Sequence, residues 1–462
     1  MIAARTVRRG VGAIVSLAVV AGAFLVITTP WQGVERSTLS ITTRPEPATS
    51  VLSCDGPLVA VGRDVEDPGA LQVAASARIV SGTAAGSPEP VPGEIASAIE
   101  GADPIPSFSA GPVDRVRADL AAAQSARVAA DDLAGFAAST CAPPAMETWL
   151  AAGSGLTGAA DLVVIANPGD VASRVDLTVF GAEGRTAPEA GTNILVPAGE
   201  QRIVPLAALA LNEASPVVLV SASQAPVQAA LQSMLTRTLV PVGVDQGGAT
   251  GLPRMQQTIP AFSAVGGGDE HTDTTIRLLA PSDDTTASVT VTPVGGSMTA
   301  ASFTDLALTA GVPIEVDLET LPEGRYRVEV QAGAPVVAAA HTSTGADAGS
   351  DFAWYGTADD VRVPTLVAVS DGPRPQLALV NPGPQEVAAV LADGAGAGEP
   401  REVRVPAGGS VSVDLAAGEL YRLDPAGGTL RASVTFTASD AIAGYAVVPA
   451  DAAAAPVEVR PR

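Results

Sequence analysis

Three stretches of this chain repeat one another, and the repeat constrains the fold more than any other feature of the sequence. The first runs from Asp161 to Ala166, turns at Asn167-Pro168-Gly169, alternates from Val175 to Phe180, and continues through Val196-Pro197-Ala198-Gly199 to Ile203–Leu206. The second has Ile276–Ala280 before Pro281, then Val289–Val291, Ala310-Gly311 and Val316–Leu318. The third has Leu377–Val380 before Asn381-Pro382-Gly383, then Val387–Leu391, Val405-Pro406-Ala407-Gly408 and Val413–Leu415. The turn prolines recur about every 107 residues, the length of one small folding unit rather than of a solenoid repeat. A fourth, degenerate copy comes first, because Ala130–Ala137 echoes Ser439–Ala446.

Within each copy, runs such as Val175–Phe180 alternate apolar and polar residues, as a strand with one wet face must. Asn-Pro-Gly and Pro-Ala-Gly supply turn chemistry, with φ pre-set by proline and positive φ open to glycine. The apolar content is mostly Ala and Val with few aromatics, which suits thin, half-buried sheets. The expected fold is all-β: tandem immunoglobulin-like sandwich modules, with a β-propeller-like ring as the alternative. Each module is expected to close with a hairpin, Val217–Ser221 into Val227–Ala230, Tyr326–Val330 into Val336–Ala340, and Ala432–Phe436 into Ile442–Ala446. Residues 83–112, rich in Pro, Gly and Ser, read as a long loop within the first module.

Ahead of the modules, Arg5, Arg8 and Arg9 precede an uncharged stretch from Gly10 to Trp31. Its apolar part would span about 28 Å as a helix, close to the thickness of a bilayer core. The basic flank puts the N-terminus in the cytoplasm and the rest outside. A cleaved signal peptide is the rival, but Ala21-Gly22-Ala23 lies in the middle of the apolar run, where a cleavage site does not belong. The expected layout is an anchor at 1–31, a linker at 32–51, a degenerate first module at 52–145, and further modules at 146–240, 241–350 and 351–462. Cys54 and Cys141 are the two cysteines, both beyond the anchor, and an oxidising compartment favours pairing them.

The 26 basic residues are all arginine, which excludes lysine Schiff-base, lysine general-base and P-loop chemistry. The net charge of −23 is spread along the chain and argues against a nucleic-acid partner. There is no G-x-S-x-G elbow, and a serine-hydrolase triad would have to recruit one of only two histidines: His271 sits in a polar Gly-rich stretch and His341 ends an apolar run. The acid pairs Asp131-Asp132, Asp283-Asp284 and Asp359-Asp360 read as solvated turns rather than as glycosidase carboxylates. No catalytic, metal or cofactor residue is expected. Trp149, Trp354 and Tyr355 occupy corresponding inter-module segments, so they either plug the junctions between modules or stack on a glycan.

The anchor, Trp149-Leu150 followed by Ala-Gly, the strand ending in Asn167-Pro168, and Val196-Pro197-Ala198-Gly199 with its echoes resemble a group of uncharacterised exported actinobacterial proteins classed as a domain of unknown function. The likeness covers roughly 140–450, and the middle copy departs from it where Ala280 replaces Asn. It implies a cell-envelope setting and carries no activity. The expected function is therefore that of a non-enzymatic, membrane-anchored extracytoplasmic scaffold or spacer that docks envelope proteins. A glycan- or cell-wall-binding protein is the alternative, and an enzyme or accessory acting on envelope polymers comes third.

Overall fold

A computed structural model describes residues 15, 17–22, 41–43, 47–63, 66–67, 69–113, 116–265, 274–318, 321–394, 396, 398–450 and 457–459. Most of the expected anchor, with Trp31, and the stretch holding His271 lie outside the described residues. Among those described, no helix is long and apolar enough to cross a membrane. The chain forms two compact units, residues 46–454 and the remainder. In the smaller unit, Ile41–Thr43 pairs antiparallel with Val457–Val459.

The larger unit is built of sandwich modules. In the module beginning at Glu147, one sheet holds Ser173–Gly181, Val217–Ser223 and Glu147–Leu150 side by side, with Ile194–Val196 on the outer edge of Ser173–Gly181. The other sheet runs Gln201–Pro205, Leu162–Ala166, Gln228–Arg237, Val240–Gly247. The modules that begin at Arg254 and Thr365 repeat this order strand for strand. The Ala-Gly turns are also equivalent: Gly199, Gly311 and Gly408 have φ of +67°, +80° and +60°, where a Cβ would be strained. Asn167 and Asn381 are fully buried, and each side-chain amide donates to two carbonyls, Val171 and Val196 in one module and Gln385 and Val405 in the other. These identical brackets explain why Asn precedes the turn proline in two copies.

The closing hairpins differ from expectation. Val217–Ser223 and Gln228–Arg237 lie in opposite sheets, so the turn at Gln224-Ala225-Pro226 carries the chain across the sandwich. In the next module the crossing is a bend in one continuous strand, Gly324–Ser343, whose halves belong to different layers. Pro226 and Pro335 cannot donate to a ladder, which suits a crossing better than a tight hairpin. Leu430–Ala438 with Ala441–Ala446 is a true hairpin, and Leu120–Ala129 with Ala134–Thr140 is its counterpart in the first module.

That first module is a reduced version of the others, with Val91–Ile95, Ile105–Ala110 and Ser50–Ser53 facing Arg78–Thr83, Leu120–Ala129 and Ala134–Thr140. Residues 83–112 are therefore not one long loop. Val91–Ile95 tolerates Pro92 because it is an edge strand. Cys54 and Cys141 form a disulfide across a separation of 87 residues. Closing a loop of that length stabilises by about 4–5 kcal/mol in the chain-entropy model. The Cys54→Ala/Cys141→Ala variant is expected to lose roughly that amount in urea titration, and a loss below about 1 kcal/mol would rule out this role.

The modules are joined in a ring. The last strands of the four modules, Ala134–Thr140, Val240–Gly247, Phe352–Gly356 and Ala441–Ala446, each touch two of the others, and the fourth returns to the first. The cores follow the same circuit. Ala137 and Val128 pack with Met234 and Val244, Trp149 and Val218 with Val337 and Trp354, Ala353 and Tyr355 with Ile442, and Phe436 and Tyr445 with Phe136. Each unit of the ring has two layers, so the sandwich and ring readings both describe it, and these are not single-sheet propeller blades.

Candidate functional site

The ring axis is organised by one carboxylate. Asp351 precedes the inner strand of the third module, and its carboxyl accepts backbone N–H groups from the inner strands of the other three. Phe136 and Ile442 donate to Oδ2 at 3.1 and 3.2 Å, and Val244 to Oδ1 at 3.3 Å. Glycines allow this approach: a Cβ on Gly135 would lie 2.6 Å from Asp351 Oδ1, and one on Gly243 would lie 2.8 Å from the Phe352 nitrogen. Burial pushes the Asp351 carboxyl well above the usual range, against the three N–H groups that favour its charged form. Asp245, whose Oδ2 accepts from the Trp354 amide at 2.8 Å, is raised by burial to about 7.

Between the first and second modules runs a polar seam. Just after the disulfide, Asp55 accepts from Ser139 Oγ at 2.6 Å and Gln228 Nε2 at 2.5 Å, and burial raises it to about 6. Gln124 and Gln246 bracket Gly56, and Gln232 both donates to and accepts from the Val59 backbone. Asp55, Gln228, Gln246, Trp354 and Thr357 also line an axial cavity of about 180 Å³ to which all four modules contribute. The seam satisfies the backbone of residues 56–59 where they enter the ring, so its first task is structural.

The aromatic residues singled out from the sequence are buried. Trp149 is 4% exposed, lies 5.4 Å from the Phe180 ring and donates its indole N–H to Glu147. Trp354 is 8% exposed, with the Arg277 guanidinium 4.4 Å over its ring and the His341 ring 4.7 Å away. Tyr355, 2% exposed, faces the opposite way into the core shared with the fourth module. None of the three presents a ring face for sugar stacking, so glycan binding cannot rest on them. Acrylamide is expected to quench Trp149 and Trp354 poorly in a Trp31→Phe variant, and quenching like that of free indole would contradict this burial. Arg277 was not legible as important: it donates to the carbonyls of Gly153 and Pro216 and pairs with Glu315 at 2.8 Å, tying the second module to the third.

A second, larger feature is a cleft of about 1040 Å³ bounded by the first module, the start of the third, and the third-to-fourth junction. Arg117, Arg254, Arg362 and Arg431 line it together with Asp119, Asp359 and Asp360. Arg254 pairs with Asp359 at 2.6 Å, and Arg362 and Arg431 share Asp360 at 2.7 and 2.8 Å. Burial alone would raise the Asp360 carboxyl, but hydrogen bonds and charge from Arg431 and Arg362 outweigh it and hold the group below the ordinary carboxylate range. Asp119 is raised by burial to about 6, against the Leu366 N–H and the charge of Arg422. The cleft thus gathers carboxylates from different modules, and the sequence pair Asp359-Asp360 is clamped by arginine rather than merely solvated. Asp360, clamped in this way, stays ionised and is a poor proton donor, whereas Asp119 is the carboxyl of the lining that burial raises. A family of unknown function, DUF5719, matches residues 95–416, and the chain belongs to that family. No curated protein matches the chain.

Proposed function

We propose that this member of a family without an assigned activity is a non-enzymatic scaffold of the cell envelope, anchored in a membrane by its N-terminal apolar segment, with the modules outside. The observation that carries the reading is the closed ring. Four modules with shared cores and a common carboxylate hold their clefts and outer loops at fixed relative positions, which is what a docking platform requires. Two further observations support the setting. The disulfide suits an oxidising compartment, and Leu17, Val19 and Val20 are exposed on the helical residues 17–22.

In-cell crosslinking of the intact protein tests the reading. The reagent must be carboxylate-reactive or photo-activated, because the chain has no lysine side chain. Reproducible capture of the same membrane or wall-synthesis proteins is the expected result. Capture of none, or recovery of the protein from the cytoplasmic fraction, overturns it.

A further inference from the structure

We propose that the cleft lined by Arg254, Arg362 and Asp359 binds an acidic sugar, its arginines taking the acid group and its aspartates the ring hydroxyls. The inference is independent of membrane anchoring and of protein docking. It begins with charge. On a chain of net charge −23, four of the 26 arginines converge on one concave surface where three aspartates face them. The lining is therefore locally cationic on an acidic molecule, and low-dielectric walls focus such a field. A cleft of about 1040 Å³ is ample for a short oligomer.

The pairing inside the cleft leaves its cations available. Arg254 and Asp359 are 42% and 45% exposed at the side chain, and ion pairs that open to water hold their partners weakly. Arg362 shares Asp360 with the more buried Arg431, so it can turn to a ligand without leaving that carboxylate alone. Guanidinium groups only donate and carboxylates only accept. Their complement carries both an oxyanion and hydrogen-bond donors, a combination that acidic sugars have in one rigid ring and that neutral sugars lack. Met255, half exposed in the same lining, offers an apolar contact for the C–H face of a sugar ring.

Calorimetric titration of the full-length protein in neutral detergent tests the proposal with three probes: a galacturonic acid tetramer, glucose 6-phosphate and maltotetraose. Saturable binding of an acidic probe, weakened by salt, is expected, with none for maltotetraose. The two acidic probes separate a carboxylate source from a phosphate source. The Arg254→Gln/Arg362→Gln variant is expected to bind about tenfold more weakly, the loss of roughly one good charge-assisted contact, with an unchanged unfolding midpoint because both side chains are well exposed. Arg362→Lys, which keeps the charge and loses the planar fork, is expected to fall between. No saturable binding of either acidic probe, equal binding of maltotetraose, or an unaltered double variant would overturn the assignment, and none of these results bears on what crosslinking captures.

Discussion

Asp351→Ala is expected to lower the unfolding free energy by at least about 3 kcal/mol, more than any single surface substitution on this chain. The reason is the accounting of donors at the axis. Phe136, Val244 and Ile442 all direct backbone N–H groups at this carboxylate from three different modules, in a region closed to water. Removing the acceptor strands three buried donors, each worth about 1–3 kcal/mol when left unsatisfied. Asp351→Asn keeps an acceptor oxygen and is expected to recover part of the loss. Hydrogen exchange gives the sharper readout, because those three amides should lose protection together. Retained protection at all three, or a cost below about 1 kcal/mol, would show that the ring is closed by apolar packing alone.

Thermal stability is expected to rise as pH falls from 8 to 5, opposite to the behaviour of a protein held by salt-bridged acids. Burial lifts Asp55 and Asp119 to about 6 and Asp161 and Asp245 to about 7, and raises Asp351 in the same direction. In the unfolded chain these groups titrate near pH 4. The folded state therefore holds protons that the unfolded state has already released. The stability they contribute is full below about pH 4 and is lost as pH rises through the folded values, between about 6 and 7. For Asp245 the difference is worth about 4 kcal/mol, an order-of-magnitude figure. Relief of surface repulsion acts in the same direction, so the diagnostic comparison is Asp245→Asn, which keeps an acceptor for the Trp354 amide and should flatten the pH slope. A flat profile in the parent protein, or an unaltered slope in the variant, would exclude the buried acids as its source.

The strand pattern, the Asn-Pro-Gly and Ala-Gly turns, and the Cys54–Cys141 pairing were legible in the sequence because each depends on local chemistry or on a count of two. Alternation marks a strand with one wet face, positive φ selects glycine, and two cysteines in one chain have few partners but each other. The sheet partner of each strand was not legible. Val217–Ser223 and Gln228–Arg237 look like a hairpin because adjacent strands usually pair, yet an intervening proline sends them to opposite layers. The strands at Val91–Ile95 and Ile105–Ala110 were hidden by their Pro, Gly and Ser content, which an edge position tolerates.

Repeated, turn-rich, all-β modules follow from the order of amino acids alone, since backbone propensity and apolar period act over a few residues. Long-range packing is what closes the modules into a ring, stands Asp351 at its axis, and brings arginines distant in sequence to aspartates in one cleft. An isolated aspartate before an apolar strand reads as a turn residue. It becomes a hub when three other modules bring their N–H groups to it, and that long-range coincidence leaves no local signature.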